Sequence, residues 1–345
     1  MLQANPLTWV NRGNPAASLR VEQLYGVPVL LSGLAPLVLS KKEEDSVGNH
    51  HKEILMNLQR LLPCTPRSVT SFLAGSLPGT ALLHLRQLTI FGMICRLSGN
   101  ILHEHAVNIF SYVTPSSKSW FFQIRELCLS YNLPHPLKQL KSPLSKESFK
   151  ILINKNVLDH WEQVLRSEAS GLDSLLFFKP NFMSLTKPHP IWTTAGCSPS
   201  KVSMATIQAQ MISGRYRTEQ LCSHWSKNKT GSCLLSPACS STVEDLSHIL
   251  SLCHALQPIR VKLMSFTLKY CEEVTSIKKL TLSLCTPSNP SFCQFLLDCS
   301  CIPSVISAVQ SQGSDLLNHL FHITRTWVYT LHKERMKLLG RWNYI

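Results

Sequence analysis

The chain has 345 residues, of which 44% are apolar and 16% charged, so it can bury sizeable cores and is not a disordered tail. Lys and Arg outnumber Asp and Glu by 34 to 20, and the net charge of +14 makes nucleic acid the natural partner, although some basic proteins bind no polyanion. The 13 cysteines are an odd number, which argues against a closed disulfide framework. No N-terminal signal is evident, so we expect an intracellular, reducing location, nuclear or cytoplasmic.

The first segment, residues 1–115, is predicted to be helical. Its apolar run Leu24–Leu39 spans 16 residues, fewer than the roughly 20 that a membrane span needs, so we expect a buried helix or strand pair and no membrane partner. A helix ending at Pro63 is predicted by apolar residues at helical spacing: Ile54, Leu55, Leu58, Leu61 and Leu62. A second helix, Thr80–Leu97, is apolar most of the way round, which indicates a central position.

The second segment, residues 116–197, is predicted to be a helical connector. A short helix ends at Pro134, and the Pro- and Lys-rich stretch 133–147 is expected to be an exposed linker. A long helix follows, and Gly171 suits the left-handed residue just past its end. One face of that helix steps by four residues: Phe149, Ile153, Val157, Trp161 and Leu165. The rest is expected to be irregular and packed through Phe177, Phe178 and Trp192.

The third segment, residues 198–260, opens with a helix that Ser198 can cap, with Pro199 at its first position and Gly214 at its end. Its predicted core face is Val202, Ala205, Ala209 and Ile212. A basic stretch with interleaved aromatic residues follows, and we call it the basic strip: Arg215, Tyr216, Arg217, Trp225, Lys227 and Lys229. Arg and Lys would meet phosphates, and Tyr or Trp would stack on a base.

The fourth segment, residues 261–345, is predicted to be helical, with a clear apolar face between residues 317 and 331. The C-terminal half of this helix is basic, and Arg325 and Arg335 are further predicted nucleic-acid contacts. Cations near a helix C-terminus also suit the helix dipole, so a solvated face explains them equally well.

The stretch CLLSPACSSTVEDLSHILSLCHAL contains four ligands of the kind that structural zinc prefers: Cys233, Cys239, His248 and Cys253. Four protein ligands leave no open position, so the zinc would be structural rather than catalytic. Thr242 is expected to cap a helix that carries the histidine. His248 and Cys253 are five residues apart, about 140° on an ideal helix, so both reach one ion only if that helix ends or loosens near residues 250–252.

Two alternatives remain open at this point. The four side chains can simply be cysteines and a histidine that bind no metal, since the first spacing is wider than usual. Alternatively, Cys222, His224 or His254 can substitute for one of the first two cysteines.

No catalytic motif is evident in the chain. It lacks a phosphate-binding glycine loop, a nucleophile elbow and an HExxH motif. Cys222 and His224 could form a nucleophile pair, but residues two apart rarely face each other correctly. The sequence therefore predicts that the chain is not an enzyme and has no small-molecule substrate.

Several stretches occur in an order that resembles the region after the polymerase core in non-LTR (LINE-type) retrotransposon reverse transcriptases, transposable elements of animals. They include HHKEILMNLQRLLP, HLRQLTIFGMICR, HPIWTTAG, SGRYRTEQLCSHWS, VEDLSHILSLCHALQPIR and FHITRTWVYTLHKERMKLLGRW. The resemblance implies a mainly α fold: the end of the palm and a helical thumb at about Ser18–Arg96, a helical linker, a small zinc-knuckle-like module and C-terminal helices. The four metal ligands match the family's Cys-Cys-His-Cys region in order.

The RNA-directed DNA polymerase of that family needs paired carboxylates to hold two metal ions. This chain contains no Asp-Asp pair, so the resemblance implies a non-catalytic C-terminal fragment. We expect it to bind template RNA or target DNA through the basic strip beside a structural zinc ion. The competing expectation is a structural or interaction remnant that binds neither metal nor nucleic acid.

Overall fold

The structure is a computed structural model and describes residues 13–112, 119–226, 228, 230–286 and 289–340. The predicted fold class is confirmed, since the described residues are mainly α-helical. Their helices are α1 Pro15–Val21, α2 Val27–Leu30, α3 Lys41–Leu58, α4 Arg67–Ala74, α5 Gly79–Cys95, α6 Ile101–Tyr112, α7 Trp120–Ser130, α8 Pro136–Lys141, α9 Lys146–Ser170, α10 Pro190–Thr193, α11 Pro199–Ile212, α12 Glu219–Ser223, α13 Gln257–Glu273, α14 Thr275–Leu284, α15 Phe292–Leu297, α16 Pro303–Gln312 and α17 Asp315–Leu338.

The N-terminal half is organised around α5, which contacts α3 and α9. Most of its residues are buried, as its all-round apolar sequence predicted. The predicted face of α9 is confirmed, because Phe149, Ile153, Val157, Trp161 and Leu165 are all buried. A Cβ added at Gly92 on α5 would lie 2.4 Å from the ring of Phe149, so the two helices can approach closely only with glycine at this position.

Three local predictions in this half are wrong. Helix α3 ends at Leu58, before Pro63, because Arg60 adopts a left-handed conformation with φ of 53°. The stretch 133–147 contains α8, and Leu140 is buried, so this stretch is not simply an exposed linker. Gly171 has φ of −82° and is not left-handed.

The apolar run Leu24–Leu39 is helical at its start but only partly buried. Val27 and Leu31 pack against Leu83 of α5, whereas Val29 is 76% exposed. The expectation of a buried element is therefore wrong for one side of this segment. None of the helices in the described ranges combines the length and the hydropathy that a membrane span requires.

The C-terminal half is built on the contact between α11 and α17, and α13, α14, α15 and α16 also pack against α17. The predicted core face of α11 is confirmed, since Val202, Ala205, Ala209 and Ile212 are buried. Ser198 and Pro199 stand at the predicted start of α11, although the Ser198 side chain makes no capping hydrogen bond. Gly214 has φ of 65°, as expected for a residue that ends a helix.

The two halves share one connected hydrophobic cluster that runs from Leu19 to Leu331. Polar contacts join them as well. The indole N–H of Trp192 donates to the Gln59 side chain at 3.2 Å, and the Gln210 side chain donates to the backbone carbonyl of Arg60 at 2.9 Å. The turn after α3 is thereby fixed against α11, beside the basic strip.

Candidate metal centre and basic strip

A short antiparallel pairing holds the first cysteine of the candidate metal centre. Ser232 and Val243 form a β-bridge, flanked by hydrogen bonds from the Cys233 N–H to the Thr242 carbonyl at 3.0 Å and from the Glu244 N–H to the Gly231 carbonyl at 2.9 Å. Gly231 has φ of 78°, a conformation that favours glycine. The pairing brings residue 233 next to the chain that leads into the histidine.

The second cysteine closes a tight turn. Pro237 begins a 3₁₀ turn that ends at Cys239, and the Ser236 hydroxyl accepts from the Ala238 N–H at 3.2 Å. Ser236 and Pro237 therefore bend the chain immediately before the second cysteine.

The histidine and the last cysteine lie on a π-helical turn, His248–Leu252, that ends at Cys253. The Cys253 N–H donates to the His248 carbonyl at 2.8 Å, which is the i to i+5 bond of a π-turn. The chain is then extended at Cys253, with φ of −58° and ψ of 120°. The expected loosening of the helix near residues 250–252 is confirmed.

The expected cap is wrong, because Thr242 belongs to the antiparallel pairing and its hydroxyl donates to the Cys239 carbonyl. Asp245 caps the turn instead, since its carboxylate accepts from the His248 N–H at 2.6 Å. The cap therefore lies three residues closer to the histidine than the sequence suggested and fixes its backbone directly.

The four predicted ligands converge. One ligand atom from each of Cys233, Cys239, His248 and Cys253 lies within 4.8 Å of all the others, and all four residues are buried. The Sγ atoms of Cys233 and Cys253 are 3.8 Å apart, whereas a disulfide joins sulfurs at about 2.0 Å. Two sulfurs each about 2.3 Å from a tetrahedral zinc ion lie about 3.8 Å apart. The cluster could therefore hold a metal ion.

The imidazole of His248 supports the same interpretation. Its Nε2 atom is buried and has no hydrogen-bond partner among the described residues. Burial, ahead of all nearby charges, lowers the pKa of His248, so the ring is neutral near pH 7 and can offer a lone pair. A buried nitrogen without a partner costs free energy that coordination to an ion would offset.

A buried arginine lies beside the thiols. Arg260 donates to the Cys253 and Ile249 carbonyls and to the side chain of Gln257. Three thiolates and a neutral imidazole around a divalent ion carry one net negative charge, which Arg260 is placed to balance. The His254 backbone N–H also donates to the Cys239 sulfur at 3.4 Å, a bond that favours a thiolate.

Without an ion, burial favours the protonated thiols of Cys233 and Cys253. Burial raises the pKa of Cys233 to about 12 and also raises the pKa of Cys253. An ion would therefore displace protons when it binds, which makes the affinity of this site dependent on pH.

Within the described part of the chain, the cluster consists of the four predicted residues alone. Cys222, His224 and the His254 side chain do not join it, so none of the suggested substitutes is needed.

The basic strip is only partly exposed. Arg217 is exposed, Arg215 is half-buried and Trp225 is 62% exposed. Lys227 and Lys229 lie outside the described residues. The exposed part of the strip that the structure describes therefore consists of one arginine and one indole close to the metal centre in sequence.

Three predicted nucleic-acid contacts lie in the interior instead, and we correct them. Tyr216, Arg325 and Arg335 are each at most 6% exposed. Arg325 donates to the Thr194 carbonyl at 3.1 Å, and Arg335 pairs with Glu244 at 2.5 Å. Their polar groups are used inside the protein, so they cannot lie against a strand on the outer surface.

Two residues that matter here were not predicted as part of the site. The carboxylate of Glu244 accepts from the Glu219 N–H at 3.0 Å and pairs with Arg335, so it joins the metal centre to α12 and α17. Arg260 carried no signal beyond following the cysteine-rich stretch. The ion pair between Glu244 and Arg335 is not recognisable from sequence, because the two residues are 91 positions apart.

The chain matches no protein-family model, no curated protein and no solved structure. The functional conclusion therefore depends on the chemistry of the candidate metal centre and on the sequence itself.

Proposed function

We propose that the chain is a non-catalytic nucleic-acid-binding region that contains one structural zinc ion, of the type that follows the polymerase core in non-LTR retrotransposon reverse transcriptases. One observation carries this proposal: three buried thiols and a buried imidazole without a hydrogen-bond partner converge within 4.8 Å. The donor set is the one that structural zinc prefers, and four protein ligands leave no position for a substrate.

The exposed residues near this centre support a nucleic-acid partner. Trp225 presents an indole on which a base can stack, and Arg217 offers a charge to a phosphate. The net charge of +14 provides the longer-range attraction. The zinc ion would hold this surface in one conformation. It would link the antiparallel pairing, which carries Cys233, to the π-turn, which carries His248 and leads to Cys253.

A gel-shift titration with a long single-stranded oligonucleotide tests the binding function. We expect binding that tolerates changes of sequence and weakens steeply with salt. Trp225→Ala should weaken binding roughly tenfold, because a base would lose its stacking partner. Phe182→Ala is the matched control, since Phe182 is an aromatic residue that is 53% exposed far along the chain from the strip.

No binding at low salt would overturn the nucleic-acid function. If the protein also lacked zinc and folded equally well with a chelator, the structural or interaction remnant would be the better description.

A further inference from the structure

A cavity of about 870 Å³ opens beside the basic strip, a size typical of ligand-binding pockets. Its walls come from α11, from α17 and from the turns that follow α3 and α11. The strip and the cavity share Arg217, which is exposed at the mouth.

The lining of the cavity is strongly cationic. Arg60, Arg217 and Arg335 all line it, and none of the described residues in the lining is a carboxylate. Glu244 lies behind the wall and balances Arg335 through the buried ion pair at 2.5 Å. Arg217 makes no hydrogen bond or ion pair with other described residues. The cavity therefore favours an anionic group near its mouth.

The wall formed by Tyr216 and α17 also presents two neutral polar side chains, Tyr216 and His332. The Tyr216 hydroxyl and Nδ1 of His332 are hydrogen-bonded at 2.8 Å, and the Arg335 guanidinium lies 5.6 Å from the centre of the Tyr216 ring. Burial, followed by the charge of Arg335, lowers the pKa of His332 to about 4, so the ring is neutral near pH 7. The neutral ring carries one N–H donor and one acceptor nitrogen, and His332 lines the cavity.

The same cavity also has surface suited to a flat ring. Tyr329 and Met336 of α17 line it, facing Ile207 of α11. Gln210 adds an amide, whose oxygen can accept a hydrogen bond from the edge of a base. Cations, an aromatic ring and a few neutral polar groups together match a nucleotide better than a simple anion.

We propose that this cavity binds one unpaired nucleotide of the strand that lies along the basic strip, with its phosphate near Arg60 and Arg217 and its base against Tyr329. This inference rests on the proposed function, because Arg217 belongs to both the strip and the cavity. The strip holds the strand by charge, and the cavity selects an unstacked base, which a duplex does not offer without flipping.

The thiol of Cys222 provides a test in the unmodified protein, since it lines the cavity and is half-buried. The probe is a tetrathymidylate with a 5′ phosphate, and the readout is the rate at which N-ethylmaleimide labels each cysteine. We expect labelling of Cys222 to slow roughly tenfold at about 90% occupancy, because only the empty fraction reacts. Cys64 and Cys197 are exposed and serve as internal controls whose rates stay constant.

A cavity-filling substitution is the second arm. Ser203→Phe should weaken binding of the tetranucleotide roughly tenfold without changing charge, whereas Ser203→Ala should leave it unchanged. The thermal unfolding of both variants shows whether the fold is retained.

Several outcomes would overturn the proposal. Unchanged labelling of Cys222 while the tetranucleotide is bound would place the ligand elsewhere. Equal protection by inorganic phosphate would show an anion site without recognition of a base. If a long oligonucleotide bound but the tetranucleotide did not, the cavity proposal would fail while the proposed function stood. If neither bound, both would fail.

Discussion

At the scale of single residues, the buried pair of Arg335 and Glu244 connects the candidate metal centre to the rest of the protein. Glu244 follows the antiparallel pairing that holds Cys233, and its carboxylate meets Arg335 of α17 at 2.5 Å. Both side chains are at most 2% exposed. Desolvating two charges is costly, so the pair itself adds little net stability. Removal of one partner is strongly destabilising, because the other charge then stays buried without a counter-charge.

Removal of Arg335 alone should therefore destabilise the fold strongly. We expect Arg335→Met to lower the free energy of unfolding by about 3–5 kcal/mol, because Glu244 would keep a buried charge without its partner. Adding Glu244→Gln should restore part of that loss, since the unpaired charge disappears. Urea-induced unfolding measures both.

Lys337→Met provides the control on the same helix. Lys337 pairs with Glu334 at 4.0 Å on the exposed surface, so its loss should cost at most about 1 kcal/mol. Equal effects for Arg335→Met and Lys337→Met would contradict the interior role of Arg335.

The pKa of His332 gives a pH dependence with a definite sign. Burial, then Arg335, lowers that pKa to about 4, whereas an unfolded histidine titrates near 6.5. Between these values the unfolded chain binds the additional proton, so stability is full above about pH 6.5 and falls by up to roughly 3 kcal/mol as pH drops towards 4.

Unfolding curves of the wild type and of His332→Phe across this pH range check the expectation. Other groups titrate in both proteins, so the difference between the two curves isolates residue 332. We expect the wild type to lose more stability than the variant as pH falls. Parallel curves would show that the buried ring does not titrate as its surroundings imply.

At the scale of elements, the packing of α5 on α9 depends on one missing side chain. A methyl group at residue 92 would lie 2.4 Å from the buried ring of Phe149. We expect Gly92→Ala to destabilise the protein by about 1–3 kcal/mol, the usual cost of overpacking, even though alanine favours helices.

Gly171→Ala is the matched control for this substitution. Residue 171 has φ of −82°, and an added Cβ would meet its nearest neighbour at 3.7 Å. Alanine there should be neutral or slightly stabilising. If both substitutions had the same effect on urea-induced unfolding, the close approach of α5 and α9 would not be what residue 92 provides.

The spacing of apolar residues predicted a helix well where only one face of that helix is buried. The buried faces of α9 and α11 follow directly from apolar residues at helical spacing, because solvent covers the opposite side. The prediction that the helix loosens after His248 also followed from geometry alone. Two ligands five residues apart on an α-helix point in directions too different to reach one ion. The π-turn at His248–Leu252 confirms this prediction.

The same approach failed for α17. Five helices surround it, so positions that look solvated in sequence are buried. Arg325 and Arg335 appeared to form a basic outer face, but each meets polar groups on a distant part of the chain. The spacing of polar residues shows which face of a helix is polar. It does not show whether another part of the chain covers that face and pairs with its charges.

At the scale of the whole molecule, charge is the property most open to test. With 34 basic and 20 acidic side chains, long-range attraction to a polyanion should dominate binding, so the logarithm of the affinity should fall linearly with the logarithm of the salt concentration. We expect Arg217→Gln to reduce that slope by about one, the signature of one lost phosphate contact.

Lys150→Ala is the control for the salt titration. Lys150 is an exposed cation on α9 and does not belong to the basic strip, so its loss should leave the slope unchanged. Equal changes for the two variants would show diffuse binding over the whole basic surface.

The proposed function depends on one zinc ion held by Cys233, Cys239, His248 and Cys253. Native mass spectrometry of protein expressed with zinc measures it most directly, with Cys253→Ser and the buried Cys271→Ser, outside the cluster, for comparison. We expect one zinc ion per chain in the wild type and in Cys271→Ser, and none in Cys253→Ser. A folded wild-type protein without zinc, or equal zinc in Cys253→Ser, would contradict the claim.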